Sequence, residues 1–218
     1  MSLFTPALRC IGNFMTTNDC SIIERCLWLG ILDKLFQLLF TSSTQMIKEA
    51  LWVISNITAG PANHVDSVVK SDLFERICVL TESKNLEIRK EALFVLCNGI
   101  TGADVVVVGE IYQKTQGRLI KILIDATNVI EKKLTMTLLD SIEAVLKLDE
   151  WLGTRGTDKS ICLLFEHMNG IEALEELQKH PDIKIYQRAA EILKSFFETD
   201  DRMDLEQHNN FYNGQRTL

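Results

Sequence analysis

KEALWVISNITAG, at residues 48–60, is the stretch of sequence that decides the fold. Its apolar residues recur at helical spacing and a glycine closes it, which predicts an amphipathic helix that stops there. Trp52 and Asn56 are four residues apart, so they lie on one face of this helix, one turn apart. The same phrase returns as KEALFVLCNGITG at residues 90–102 and, in weaker form, as ALRCIGN at residues 7–13.

These three stretches are related by a repeat of nearly constant length. Their asparagines, Asn13, Asn56 and Asn98, stand 43 and 42 residues apart. A period of roughly 40 to 47 residues is typical of armadillo and HEAT solenoids, in which each repeat consists of two or three helices. We therefore predict an all-α fold, an armadillo-repeat right-handed superhelical solenoid.

Composition and charge narrow the classes of function. The 218 residues are 46% hydrophobic and 24% charged, which is ordinary for a folded globular chain. A formal net charge of −7 disfavours phosphate backbones and suits a basic ligand, so we expect no direct nucleic-acid binding. No apolar run approaches the length of about 20 residues that a membrane helix needs, and we expect no membrane partner.

Residue types that carry chemistry are scattered along the chain. The six cysteines form no C-x-x-C pair and the four histidines show no ligand spacing, a pattern typical of free thiols in a reducing compartment. The nucleotide-binding and hydrolase motifs are missing from the sequence. We expect no enzymatic activity, no metal and no cofactor.

The repeat divides the chain into six parts. They are the third helix of a truncated repeat (1–17), armadillo repeats at 18–60 and 61–103, an armadillo repeat with a loop (104–158), the last armadillo repeat (159–199) and a disordered tail (200–218). The run Val105–Val108 favours a strand locally, but the repeat context predicts a helix. Residues 151–158 are predicted to form a loop. An orphan first helix would leave an apolar face uncovered, so we expect a longer array of which this is the C-terminal part.

The repeated side chains predict a binding surface. Parallel third helices would place them in two files along a concave face, Arg9, Trp52 and Phe94 in one file and Asn13, Asn56 and Asn98 in the other. An Asn amide offers donors and an acceptor, so a row of them can hold the main chain of an extended peptide. The rings of Trp52 and Phe94 can flank the stem of a Lys or Arg, with a cation–π contribution of ~0.5–2 kcal/mol.

Charged residues complete this predicted surface. Glu49 and Glu91 lie three residues before the aromatics and would meet a cationic head group, whereas Arg9 would repel a basic side chain or pair with an acidic group. An aromatic residue on a helix more often belongs to the core, but the aromatic and the Asn recur together in register. In the later repeats the aligned positions are Asp140 with Ala144 and Glu191 with Ser195, so these repeats lack the pair of an aromatic residue and an Asn.

At this point the chain resembles a known family. Trp-x-x-x-Asn on third helices at a 42-residue period, followed by SNITAG, resembles importin-α, the adaptor family of nuclear protein import. Residues 5–13 resemble that family's repeat in which Arg replaces Trp, and residues 170–178 and 196–201 resemble its last repeat. The resemblance spans nearly the whole chain and implies that it covers about the sixth to tenth repeats.

The resemblance also implies a site and partners. It implies the minor site for lysine/arginine-rich nuclear localisation signals, at Arg9, Asn13, Glu49, Trp52, Ser55, Asn56, Glu91, Phe94 and Asn98. It implies an export receptor of the CAS type at the last repeats, importin-β only through a basic segment not found in this sequence, and shuttling between cytoplasm and nucleus. The chain departs from the family at Phe94, where Trp is expected and where a smaller ring should weaken the lysine slot. It also lacks the usual Gly after Asn13.

One alternative keeps the fold and changes the ligand. An armadillo scaffold could bind another extended partner segment, as catenin-like proteins do. Such a scaffold would need a basic groove for an acidic ligand, and Glu49 and Glu91 disfavour it. The sign of the charge in the groove distinguishes the two.

Overall fold

The computed structural model describes residues 3–16, 19–129 and 131–198, and within these ranges it contains fourteen α-helices and no strand. The predicted all-α class is confirmed, whereas the predicted tail at 200–218 lies outside the described residues. None of the described helices is both long and apolar enough to span a bilayer. The helices are α1 (Phe4–Met15), α2 (Cys20–Trp28), α3 (Ile31–Leu38), α4 (Thr44–Thr58), α5 (Ala62–Val69), α6 (Leu73–Leu80), α7 (Leu86–Gly102), α8 (Val105–Thr115), α9 (Arg118–Ala126), α10 (Lys132–Leu146), α11 (Leu148–Leu152), α12 (Ile161–His167), α13 (Gly170–Leu177) and α14 (Ile183–Phe196).

The helices repeat in the order short, short, long, and the long ones form a layer. These third helices, α1, α4, α7, α10 and α14, pack side by side in chain order. Behind them lie the second helices, α3, α6, α9 and α13, each packed on the third helix that follows it. Because each third helix touches the one before and the one after, residues at equivalent positions form rows across the layer.

Side-chain caps start three of the third helices, α4, α7 and α14. The hydroxyl of Ser43 accepts a hydrogen bond from the backbone N–H of Met46 (3.3 Å), and the amide oxygen of Asn85 accepts one from Ile88 (3.3 Å). Asp182 caps α14 in the same way. Such caps satisfy backbone donors that the first turn leaves open, and each contributes about 1 kcal/mol.

The valine run at 105–108 forms the start of α8, as the repeat context predicted. The carboxylate of Asp104 accepts from the backbone N–H of Val107 at 3.0 Å, which caps the helix. Val107 and Val108 are buried, so the helix gains apolar contacts that outweigh the local preference of valine for strands.

Left-handed residues separate first from second helices in three of the repeats. Gly30 (φ 77°), Gly117 (φ 83°) and Asn169 (φ 63°) occupy the N-cap positions of α3, α9 and α13. Glycine adopts this conformation without a Cβ clash, and Asn tolerates it better than most residues. In these repeats a Gly or Asn therefore allows the turn between the two short helices.

The predicted loop at 151–158 is wrong for its first two residues. α11 runs to Leu152, and the left-handed Gly153 (φ 65°) ends it. Leu148 is fully buried and anchors this extra helical turn directly after α10. The ring of Trp151, about half exposed, lies over Gly109 of α8, where an added Cβ would come within 3.2 Å of it.

A fully buried carboxylate, Asp149, holds the segment that joins α11 to α12. One of its oxygens accepts from Thr154 Oγ1 (2.7 Å) and the backbone N–H of Ile161 (2.6 Å). The other accepts from Ser160 Oγ (2.6 Å) and the N–H of Cys162 (2.8 Å). Burial alone would raise its pKa, but these hydrogen bonds outweigh burial and lower the pKa to about 2. The carboxylate of Asp149 on α11 therefore connects the last group of helices, which begins with α12, to the group before it.

The core is continuous along the solenoid. One cluster of buried apolar side chains extends from α1 to α7 and a second from α5 to α14, so α5, α6 and α7 contribute to both. Each group of helices thus covers the apolar face of its neighbour, as in other repeat proteins.

Candidate functional site

The two repeated phrases lie next to each other on the third-helix layer. α4 and α7 pack together, and each carries a Glu, an aromatic residue and an Asn at positions i, i+3 and i+7 of one face. The aromatics and the second and third asparagines are half-buried, so their outer edges reach solvent. We call this surface of α1, α4 and α7 the third-helix face.

Asparagines connect neighbouring third helices. Asn56 Nδ2 donates to the backbone carbonyl of Gly12 at 3.1 Å, and Asn98 Nδ2 donates to that of Ser55 at 3.3 Å. In both cases the acceptor is the residue just before the preceding Asn of the series. The amide oxygens and second N–H groups make no other hydrogen bond among the described residues, and Asn13 is exposed. Each amide can therefore still accept and donate one bond to a ligand main chain.

Ser55 lies in the interior between α4 and α7. It is only 6% exposed, and its hydroxyl donates to the carbonyl of Trp52 at 2.9 Å. Its side chain therefore serves its own helix, and its backbone carbonyl serves Asn98.

Trp52 has both a packing role and an exposed edge. Its six-membered ring lies against Gly12 of α1 so closely that a Cβ added there would stand 2.0 Å from Cζ3. Only glycine permits this approach of ring and backbone. Gly12 is thus held by the ring of Trp52 and by the amide of Asn56, while the rest of the indole remains accessible.

Arg9 and Glu49 neutralise each other at the N-terminal end of the third-helix face. Arg9 Nη2 and Nε lie 2.7 and 2.8 Å from one oxygen of Glu49, and Gln45 Nε2 donates to the same oxygen at 2.6 Å. The hydrogen bond that Arg9 donates to Glu49 raises the pKa of Arg9. Of the two outcomes expected for Arg9, repulsion of a ligand or pairing with an acid, the structure shows pairing. Glu49 therefore has less capacity for a ligand cation.

Glu91 has no such partner. It is half-buried, and no Lys or Arg lies within ion-pair distance of it in the described part of the chain. Burial raises the pKa of Glu91, the carboxylates of Glu131 and Glu87 raise it further, and Lys48 opposes them. Lys48 itself is paired with Glu87. Glu91 is therefore left without a paired cation among the described residues.

A cation from a later helix stands over the ring of Phe94. Lys133 Nζ lies 5.9 Å from the ring centroid, within cation–π range. Lys133 is exposed at the start of α10, and it was not among the residues predicted from the sequence. The repeat could have pointed to it, because Lys133 lies seven residues before Asp140 and Glu87 lies seven residues before Phe94, which is the residue aligned with Asp140.

Arg188 is the second functional candidate that sequence reasoning missed. Its Nε lies 2.9 Å from Asp140 and its Nη1 3.4 Å from Glu191, and it also pairs with Glu143. It lies three residues before Glu191, the register position that holds Glu on α4 and α7. On α10 and α14, Asp140 and Glu191 occupy the positions that hold aromatic residues on α4 and α7, and Arg188 bridges these two carboxylates. The Trp/Asn pair is absent from both helices, as the sequence indicated.

Comparison with known proteins agrees with this architecture. Residues 29–59 match the family described as Armadillo/beta-catenin-like repeat, and residues 159–210 match the family described as Atypical Arm repeat. A designed armadillo repeat protein superimposes with a TM-score of 0.71 over 88% of this chain and 75% of its own, at 19% identity. Another, solved in complex with the peptide (KR)4, has a TM-score of 0.60 over 88% of this chain and 92% of its own, at 18% identity. The chain therefore contains armadillo repeats and has the fold of an armadillo solenoid.

The similar curated sequences include importin α subunits. Importin subunit alpha-4 of Arabidopsis thaliana is 29% identical over 100% of this chain and 40% of its own length. Importin subunit alpha-1a of Oryza sativa subsp. japonica is 30% identical over 93% of this chain and 39% of its own. The chain is homologous to importin α subunits, so the resemblance seen in the sequence is confirmed, and it spans about two fifths of the length of these relatives. Its assignment to the sixth to tenth repeats stays a prediction.

Proposed function

We propose that this chain binds lysine/arginine-rich nuclear localisation signals in an extended conformation along the third-helix face. The observation that carries the proposal is Glu91, a half-buried carboxylate whose pKa is raised and which has no cation within ion-pair distance in the described ranges. A ligand ammonium or guanidinium placed there would form the charge-assisted bond that the protein itself does not supply.

The neighbouring groups fit the rest of such a ligand. Asn98 and Asn56, each with a free amide oxygen and N–H, are suited to hold the main chain, because they lie one repeat apart on adjacent helices. The exposed edge of Trp52 offers an apolar surface for a lysine stem. The alternative scaffold would need a basic groove, which the carboxylates on α4 and α7 disfavour.

The relatives support the biological setting. Importin α subunits are adaptors of nuclear import, and a designed neighbour holds a (KR)4 peptide. By this analogy the chain would act in nuclear import as the minor-site part of an adaptor that shuttles between cytoplasm and nucleus. The last group of helices, with exposed Ile183 and Tyr186 on α14, would provide the surface for the export receptor. Purified export receptor should then bind the parent chain and bind Tyr186→Ala less tightly, and equal binding would count against this part.

Fluorescence anisotropy with a labelled Lys/Arg-rich peptide tests the main proposal. We expect binding of this peptide but not of a matched acidic peptide, with affinity that decreases as salt rises. Glu91→Gln should weaken binding about ten-fold, the equivalent of ~1.4 kcal/mol. It should leave the fold intact, because it removes a carboxylate that burial disfavours.

Glu175→Gln is the matched control, since Glu175 is exposed on α13 and the charge change is the same. Circular dichroism would verify that both variants are helical. Equal binding of the basic and acidic peptides, or equal effects of the two substitutions, would contradict the proposal.

A further inference from the structure

We propose that Lys133 fills the aromatic slot beside Phe94 in the free protein and thereby sets which ligand side chain the slot accepts. This inference rests on the proposed function of the third-helix face. Its first observation is the position of Lys133 Nζ, 5.9 Å from the centroid of a half-buried ring whose outer edge faces solvent. That is where the ammonium of a ligand lysine stacked on Phe94 would lie.

The register of the repeat gives the second observation. Seven residues before Phe94, at the start of α7, stands Glu87, and seven residues before the aligned Asp140, at the start of α10, stands Lys133. The charge at this position is therefore reversed between neighbouring third helices. Glu87 is already paired with Lys48, so a basic peptide gains little at the start of α7, whereas Lys133 repels it at the start of α10.

The third observation is that no carboxylate holds Lys133. Among the described residues it has no ion-pair partner, whereas Lys132, its neighbour in sequence, pairs with Asp182, the N-cap residue of α14. The ring of Phe94 is thus the contact that places the ammonium. A contact of this kind at an exposed site is weak, so a ligand can displace it.

The consequence is a change of specificity along the face. A ligand lysine that enters this slot replaces one cation–π contact by another and gains little. A ligand with an uncharged side chain at this position leaves Lys133 in place and loses nothing. The slot beside Phe94 therefore selects against Lys, whereas Glu91, one turn earlier, selects for a cation.

Lys133→Met tests this, because methionine keeps an unbranched stem but has no charge. In anisotropy titrations with the Lys/Arg-rich peptide, we expect three- to five-fold tighter binding by Lys133→Met. The control, Lys34→Met, makes the same charge change at an exposed residue of α3 and should alter affinity less than 1.5-fold. In a Phe94→Leu background, Lys133→Met should give no more gain than the control.

A second measurement examines the contact without any ligand. After reductive methylation with ¹³C-formaldehyde, which keeps the lysine charge, the methyl signal of Lys133 can be assigned by its absence in Lys133→Met. Stacking on the ring predicts an upfield shift of this signal in the parent protein and its return to the ordinary position in Phe94→Leu.

The outcomes separate this inference from the proposed function. A ring-dependent gain in affinity together with an upfield methyl signal supports the inference. Binding of the basic peptide with equal effects of Lys133→Met and Lys34→Met overturns it and leaves the proposed function standing. Failure of every variant to bind the basic peptide overturns both, and an unshifted methyl signal overturns the contact itself.

Discussion

Replacement of Asp149 by Asn should loosen the last group of helices, and the structure gives the magnitude. Its carboxylate accepts four hydrogen bonds with no solvent exposure, and its pKa falls from an ordinary value near 3.8 to about 2. At about 1.4 kcal/mol per pKa unit, the ionised form contributes ~2 kcal/mol. Asn also turns an N–H donor toward groups that donate, so we expect Asp149→Asn to lower the free energy of unfolding by about 3 kcal/mol.

The pH dependence has a definite sign. Because the folded pKa lies below the unfolded one, the contribution of Asp149 is complete above about pH 4 and disappears as the pH falls toward 2. Urea unfolding followed by circular dichroism at 222 nm, at several pH values between 7 and 3, should show the deficit of Asp149→Asn shrink by roughly 1 kcal/mol at the acid end.

Asp158→Asn provides the control, since Asp158 is exposed in the same segment and the substitution is chemically identical. It should change stability by less than about 0.5 kcal/mol. If the two variants were equally stable, or if the deficit of Asp149→Asn were the same at pH 7 and pH 3, the reasoning about this carboxylate would be refuted.

The remaining predictions concern packing, thiols and the arginine bridge. Gly12→Ala should lower stability in thermal unfolding by ~1–3 kcal/mol because the new Cβ meets an indole ring, whereas Gly99→Ala, with 3.6 Å of room, should be neutral or stabilising. Burial raises the pKa of the Cys97 thiol to about 12, so DTNB at pH 8 should label exposed Cys10 quickly and Cys97 only in urea. Arg188→Met should cost ~1–2 kcal/mol in urea unfolding at pH 7, and the loss should shrink in acid as Glu143, whose pKa lies below its usual range, becomes protonated; a constant loss would contradict the bridge.

The helical architecture could be predicted because the sequence signal is periodic at two scales. Within residues 48–60 the apolar spacing gives a helix and its face, and the 42- and 43-residue intervals give the stacking of such helices. Where local preference and repeat disagreed, at Val105–Val108, the repeat was the better guide, because the cap at Asp104 and the buried neighbours decide the conformation.

Contacts between side chains of different helices were not accessible in the same way. Arg9 could have repelled a ligand or paired with an acid, and only the packing of α1 on α4 shows that it reaches Glu49. Phe94 and Asp140 are 46 residues apart, whereas Trp52 and Phe94 are 42 apart. Because the repeat length changes here, the equivalence of Lys133 and Glu87 is hard to see in the sequence. The sequence also gave no warning that Asn56 and Asn98 bind backbone carbonyls of the chain itself.

The hydrogen bonds of Asn56 and Asn98 connect neighbouring third helices at the positions where a ligand is proposed to bind. Asn56 and Asn98 fix the spacing of successive third helices through the carbonyls of Gly12 and Ser55. An extended peptide rises about 3.3 Å per residue, so the spacing of the third helices sets which of its residues meet successive asparagines. The same two side chains therefore serve both the packing of neighbouring third helices and the proposed contacts with a ligand.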